Sequence, residues 1–183
     1  MPEIIRSFLV VMVIATMVFG AAQANAKVLG LDVSILKIRR NAWFVITSAA
    51  FLSHDFWIFS GIAVVTLLYA NAHEKNTLSL VFFVLLAVPL FGSDISGFGI
   101  INYFFELNYF RIVSITLLLP LYLKLKKDRN VVPFGRYWSD KLLYGYILYT
   151  LILVFPSTSI TNFLRIIFGY FVDIFLPYYI ASR

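Results

Sequence analysis

Three ionisable residues stand inside otherwise apolar stretches of this chain: Arg111, Arg165 and Asp173. A charge in such a setting is costly unless it meets a partner or water, so it marks a polar pathway or a substrate site by default. Arg165 and Asp173 are eight positions apart, a little over two helical turns. They therefore share one helix face but are too far apart along the axis to pair with each other. Each must meet a partner on another element. One reading is a polar cavity for an anionic lipid-linked substrate, with Arg165 against phosphate. The other is structural, with ion pairing between helices or an arginine reaching to the membrane surface from a helix end. Arg111 lies one turn beyond Glu106 and near Asn108. It reads as an interfacial anchor paired with Glu106, or as part of the same substrate-binding group of Arg111, Arg165, Asp173 and Glu106.

Other chemistry finds less support. His54 beside Asp55 has the composition of an acid–base pair, but also of an ordinary polar turn. His73 sits beside Glu74 in a short polar loop. The two histidines are distant in sequence and no carboxylates cluster at ligand spacing, so no metal site is expected. With 0 Cys there is no disulfide or thiolate ligand. No glycine-rich loop has the spacing of a nucleotide-binding motif, and no cofactor is expected.

These residues are embedded in an unusually apolar chain. Of its 183 residues, 61% are hydrophobic and 13% charged, and the mean hydropathy is +0.89. Soluble domains are about 45–50% apolar and about 25% charged. Lipid is the natural solvent for such a composition, with 19 Phe suited to acyl chains and 11 Tyr to the headgroup level.

Apolar runs cover residues 8–22, 42–52, 56–70, 78–91, 109–123, 142–155 and 160–180. The first has a basic start and small residues behind it, as a cleaved secretory signal would. With its flanks it is also long enough to be retained as a span. Residues 42–52 are short, as a re-entrant or tilted leg would be, and Ser53-His54-Asp55 forms the tip before the next run. Pro89 interrupts the fourth run late. Residues 92–108 mix Gly92, Gly97, Gly99, Asp94, Asn102 and Glu106 with aromatics, as an interfacial loop on the membrane surface would.

Charge orients these runs. Lys124, Lys126, Lys127 and Arg129 form the densest basic cluster, and Lys and Arg favour the cytoplasmic side. Placing it inside puts 92–108 outside, 71–76 inside, 53–55 outside and 25–41 inside. Lys27, Lys37, Arg39, Arg40, Lys75, Arg136, Lys141 and Arg183 then join the cluster, making twelve of the 15 basic residues on one side. The outer loops keep Asp55, Asp94 and Glu106. The expected fold is all-α: one polytopic transmembrane helix bundle over residues 1–183, with about seven crossings, one or two of them short or re-entrant. The net charge of +6 is then a topology signal that anionic membrane lipids reinforce, and no nucleic-acid partner is expected.

The stretch Arg40-Asn-Ala-Trp-Phe-Val-Ile-Thr-Ser-Ala-Ala-Phe-Leu-Ser-His-Asp-Phe-Trp-Ile-Phe59 resembles the early part of bacterial O-antigen ligase / O-antigen polymerase-like membrane proteins. So do residues 82–89 followed by Gly97-Phe-Gly-Ile-Ile-Asn102, the segment Arg136-Tyr-Trp-Ser-Asp140, and residues 173–183. The resemblance lies in aromatics and turns. It implies a multi-pass protein of the bacterial inner membrane that polymerises or ligates cell-surface polysaccharide carried on undecaprenyl pyrophosphate. In that chemistry a sugar hydroxyl attacks the anomeric carbon and the lipid pyrophosphate leaves, with no metal or nucleotide sugar.

The family's catalytic Arg and His residues lie on a large outer loop in its later half, so none is carried onto a position here. The resemblance implies that this chain is the N-terminal part of a longer polytopic protein, or a truncated or split member, inactive alone. Its partners would be membrane lipids, the undecaprenyl-linked glycan and other polysaccharide-assembly proteins. A transporter or flippase component and a non-catalytic membrane scaffold subunit are the competing expectations.

Overall fold

The computed structural model describes residues 3–30, 32–74, 76–88, 92–96 and 103–183, without the side chains of Ser96, Tyr103 and Phe104. Lys75, Pro89 and the stretch from Gly97 to Asn102, all used in the sequence reading, lie outside the described residues. The chain is 80% helical, with seven helices and a two-stranded sheet among the described residues. It divides into two compact units, Met1–Leu90 and Phe91–Arg183.

The first unit holds α1 (Glu3–Val28), α2 (Val33–Leu52), α3 (Phe56–Ala72) and α4 (Thr77–Leu85). Short polar side chains start three of them. Asp32 Oδ1 accepts from Ser34 N at 3.0 Å, Asp55 Oδ1 from Trp57 N at 2.7 Å, and Asn76 Oδ1 from Leu78 N at 3.1 Å. α2 packs against the other three helices, and Ile46, Phe59, Leu67, Leu80 and Val84 are fully enclosed. The expected polar piece 25–41 is largely helical. α1 runs to Val28, Gly30 turns the chain at φ 66°, and α2 starts at Val33. Lys and Arg are good helix formers, so Lys37, Arg39 and Arg40 extend the short leg 42–52 into a 20-residue helix. Arg39 and Glu74 form a two-pronged ion pair, Nε to Oε2 at 2.7 Å and Nη2 to Oε1 at 3.0 Å, with the Glu74 side chain buried.

The second unit begins with strands β1 (Gly92–Ser96) and β2 (Tyr103–Asn108), paired antiparallel with Gly92 opposite Asn108 and Asp94 opposite Glu106. The segment read as an irregular surface loop is thus in part a β-pair. Aromatic residues favour a pleated, half-buried strand, and β2 lies on a helix rather than alone. α5 follows directly over residues 109–127, with Asn108 capping it through Arg111 N at 2.9 Å. α6 is Trp138–Val154 and closes in a tight turn, Phe155–Ser157. α7 is Ile160–Ala181. Both α5 and α7 contain a widened π turn, Ser114–Leu118 and Tyr170–Phe175, and the two turns touch. Val113, Leu117, Val172 and Leu176 are buried in this unit.

α1 and α7 are each long and apolar enough to cross a membrane, by length and composition. α3 is a shorter apolar helix of 17 residues. α4 has 9 residues, less than the run 78–91 allowed. α1 is almost wholly exposed, with Val13, Ile14, Met17 and Val18 each more than half accessible. Water would leave such a surface without cover, whereas acyl chains suit it.

Candidate functional site: a charged cleft between the strand pair and two helices

Arg165, Gly169 and Asp173 recur every four residues on α7 and so share its face. Opposite them stands Arg111, at the start of α5. Its Nε lies 3.1 Å from both Asp173 carboxylate oxygens, and its Nη2 lies 2.7 Å from Oδ2. Its Nη1 donates to the backbone carbonyl of Glu106 at 2.5 Å. Arg111 therefore does reach Glu106, but through the main chain, and its ion-pair partner is Asp173. The helix start explains this. Asn108 fixes the first turn of α5, so the Arg111 side chain lies between α7 and the end of β2 and reaches both.

Gly169 sits where the two helices meet. A Cβ there would lie 3.5 Å from Arg111 Nη2 and 3.8 Å from Asp173 Oδ2, an ordinary contact distance, so a methyl fits and a larger group would push against the pair.

A cleft of about 260 Å³ opens beside this pair. Phe105 and Glu106 of β2, Arg111 of α5, and Asn162, Arg165, Ile166 and Gly169 of α7 line it. Arg165 Nη1 donates to Asn162 Oδ1 at 3.0 Å. The Phe105 and Phe168 rings, 4.5 Å apart between centroids, hold β2 against α7. All four residues singled out from the sequence thus meet: Glu106, Arg111 and Arg165 on the wall, and Asp173 behind Arg111. Ser114, in the π turn of α5, has a buried hydroxyl without a hydrogen-bond partner. Such turns are frequent at functional sites.

A larger groove of about 740 Å³ lies in the first unit, between Val11, Val18 and Phe19 of α1, Trp43 of α2 and Phe82 and Leu86 of α4. No titratable group lines it. A second groove of about 630 Å³ in the same unit is lined by Ser48, Ser53, His54 and Asp55, and the smaller cleft differs from both in carrying two arginines. His54 and Asp55 form a turn in which Asp55 serves as a helix cap. His73 Nδ1 lies 2.9 Å from the Tyr69 carbonyl, and its ring packs at a tilt against the Tyr69 ring, 4.6 Å between centroids. No group of His, Cys, Asp or Glu among the described residues is arranged to hold a metal.

A second ionic centre escaped the sequence reading. Asp140 is fully enclosed at the start of α6. It accepts from Arg183 Nη2 at 2.7 Å, Tyr178 Oη at 2.8 Å and Gly135 N at 2.9 Å. Arg183 also donates from Nε to Val132 O at 3.0 Å and lies over the Tyr179 ring at 4.5 Å. The Arg183 hydrogen bond holds the Asp140 carboxyl well below the usual carboxylate range. Burial opposes it, and Tyr178 and the Gly135 and Tyr137 amides add to it. The side chain of Arg183, counted from sequence among the basic residues on the inner side, is enclosed. An Asp in the first turn after Tyr137 was a legible helix-start signal. Its Arg partner, 43 positions on, was not.

Comparisons with protein-family models, with characterised proteins and with solved structures give no match.

Proposed function

We propose that this chain is a multi-pass protein of the bacterial inner membrane. In this reading it is the membrane portion of a cell-surface polysaccharide polymerase or ligase acting on undecaprenyl-pyrophosphate-linked glycans. The observation that carries the reading is the convergence of Glu106, Arg111, Asn162 and Arg165 on one cleft of an otherwise apolar chain. The seven helices are taken as about seven crossings, with the 9-residue α4 as a short or re-entrant one, the basic ends of α5 and α6 on the cytoplasmic side and the strand pair on the outer side. That arrangement puts the cleft at the face where lipid-linked glycans are joined. The resemblance of residues 40–59 and 173–183 to O-antigen ligase / polymerase-like proteins supplies the substrate class.

A non-catalytic scaffold is the second reading. The pairing of Arg111 with Asp173 and of Arg183 with Asp140 favours it, because neighbouring elements already satisfy those charges. A passage for a transported substrate has less support, since Asp173 is held by Arg111 rather than presented to a channel.

Binding separates the two leading readings. The full chain in lipid nanodiscs, titrated with an undecaprenyl-pyrophosphate-linked glycan and followed by native mass spectrometry, is expected to bind saturably. Arg165→Ala should weaken that binding about tenfold or more, as loss of a charge-assisted hydrogen bond does. A scaffold would show no saturable binding.

A further inference from the structure

The cleft is charged, but its charges balance. Arg111 and Arg165 are positive, while Glu106 on the wall and Asp173 against Arg111 are negative. Arg111 is neutralised in place: Asp173 takes its Nε and Nη2, and the Glu106 carbonyl takes its Nη1. An entering phosphate would meet Arg165 together with the Glu106 carboxylate, across a space small enough that attraction and repulsion offset each other. Phosphate sites instead present unopposed cations or a row of backbone N–H groups.

A balanced wall offers donors and acceptors side by side. The Glu106 carboxylate accepts and the Arg165 guanidinium donates, while the Asn162 amide, whose Oδ1 already accepts from Arg165, adds its N–H donors. A pair of adjacent hydroxyls needs that combination, because each hydroxyl both donates and accepts. Phe105, braced by Phe168, adds an apolar flank suited to the C–H face of a sugar ring. The volume of about 260 Å³ lies below the roughly 300–1,000 Å³ of pockets that enclose drug-sized ligands. It has room for one ring, not a chain of them.

We propose that this cleft binds a single neutral sugar residue through its hydroxyls and does not hold the pyrophosphate of a lipid-linked substrate. The proposal rests on the cleft being a substrate site, as put forward above. It replaces the phosphate contact expected of Arg165 with a hydroxyl contact.

The test uses the full chain in nanodiscs and ligand-observed saturation-transfer NMR. The probes are the methyl glycosides of glucose, galactose and N-acetylglucosamine, and inorganic pyrophosphate. At least one glycoside should bind, and Glu106→Gln and Asn162→Ala should each weaken it about tenfold. Both side chains are exposed and lie on different elements, so loss of folding in one variant leaves the other as the test. Pyrophosphate should not bind. An anion site predicts the opposite sign, because removing the Glu106 charge would strengthen pyrophosphate binding. That result, absence of glycoside binding, or glycoside binding indifferent to both substitutions overturns the proposal. If the undecaprenyl-pyrophosphate-linked glycan binds and Glu106→Gln tightens it, the sugar site falls and the lipid-linked substrate stands. If glycosides bind and the lipid-linked glycan binds no better than they do, the sugar site stands and the lipid-linked substrate falls.

Discussion

The Arg111 guanidinium engages both carboxylate oxygens of Asp173, 62 positions along the chain, at 2.7 to 3.1 Å. This pair ties the start of α5 to the middle of α7 and fixes one edge of the cleft. Each side chain keeps some exposure, 18% for Arg111 and 31% for Asp173, so the pair is worth less than a fully buried one. Asp173→Asn or Arg111→Met alone is expected to destabilise the chain by about 1–3 kcal/mol. The double variant should lose less than the sum of the two. Thermal unfolding of the detergent-solubilised protein over the full mutant cycle checks this, and simple additivity would show that the pair carries no coupling.

The Asp140 centre makes a pH prediction. Its folded carboxyl titrates below its unfolded value of about 3.9, so the folded state favours the ionised form. The stabilisation is therefore complete above that unfolded value and is lost as pH falls through the depressed folded one. Wild type should lose melting temperature below about pH 4 more steeply than Asp140→Asn. At neutral pH the variant should be the less stable of the two. Parallel curves across the acid range would mean that Asp140 does not control the transition.

Two glycines should behave oppositely. A Cβ at Gly92 would lie 2.7 Å from the Leu107 carbonyl oxygen, within the strand pair. Gly92→Ala must push β1 from β2 and should cost about 1–3 kcal/mol. At Gly169 the same methyl meets only ordinary contacts in a helix, where alanine is favoured over glycine by up to about 1 kcal/mol. Gly169→Ala should be neutral or stabilising. Thermal unfolding of the two variants side by side decides the matter, and equal losses would contradict the placement of the strand pair.

Topology can be read with reporters. Fusions after Asp94 and after Asp128 should report opposite sides of the membrane, with Asp128 cytoplasmic. The same side for both would remove the crossing assigned to α5.

The helical character was legible because it follows from composition. Arg165 and Asp173 share a face by arithmetic alone. What spacing could not show is which element faces them. Arg111 pairs with Asp173 because Asn108 starts α5 at one fixed position, and Arg183 reaches Asp140 across 43 positions of chain. The strand pair was missed because its glycines and aromatics also describe a surface loop, and its residues show no strict alternation that would fix a register such as Asp94 opposite Glu106. The extent of α2 was missed because basic residues were read as a loop, although they extend helices readily.

The central claim, a cleft on the outer face that takes a lipid-linked glycan, is most directly tested by one engineered thiol. The chain has 0 Cys, so Ile166→Cys on the cleft wall would carry its single reactive group. In oriented membrane vesicles, a membrane-impermeant maleimide should modify that thiol from the outer side only. Added undecaprenyl-pyrophosphate-linked glycan should slow the modification severalfold. Modification from the cytoplasmic side, or a rate indifferent to the glycan, would contradict the account.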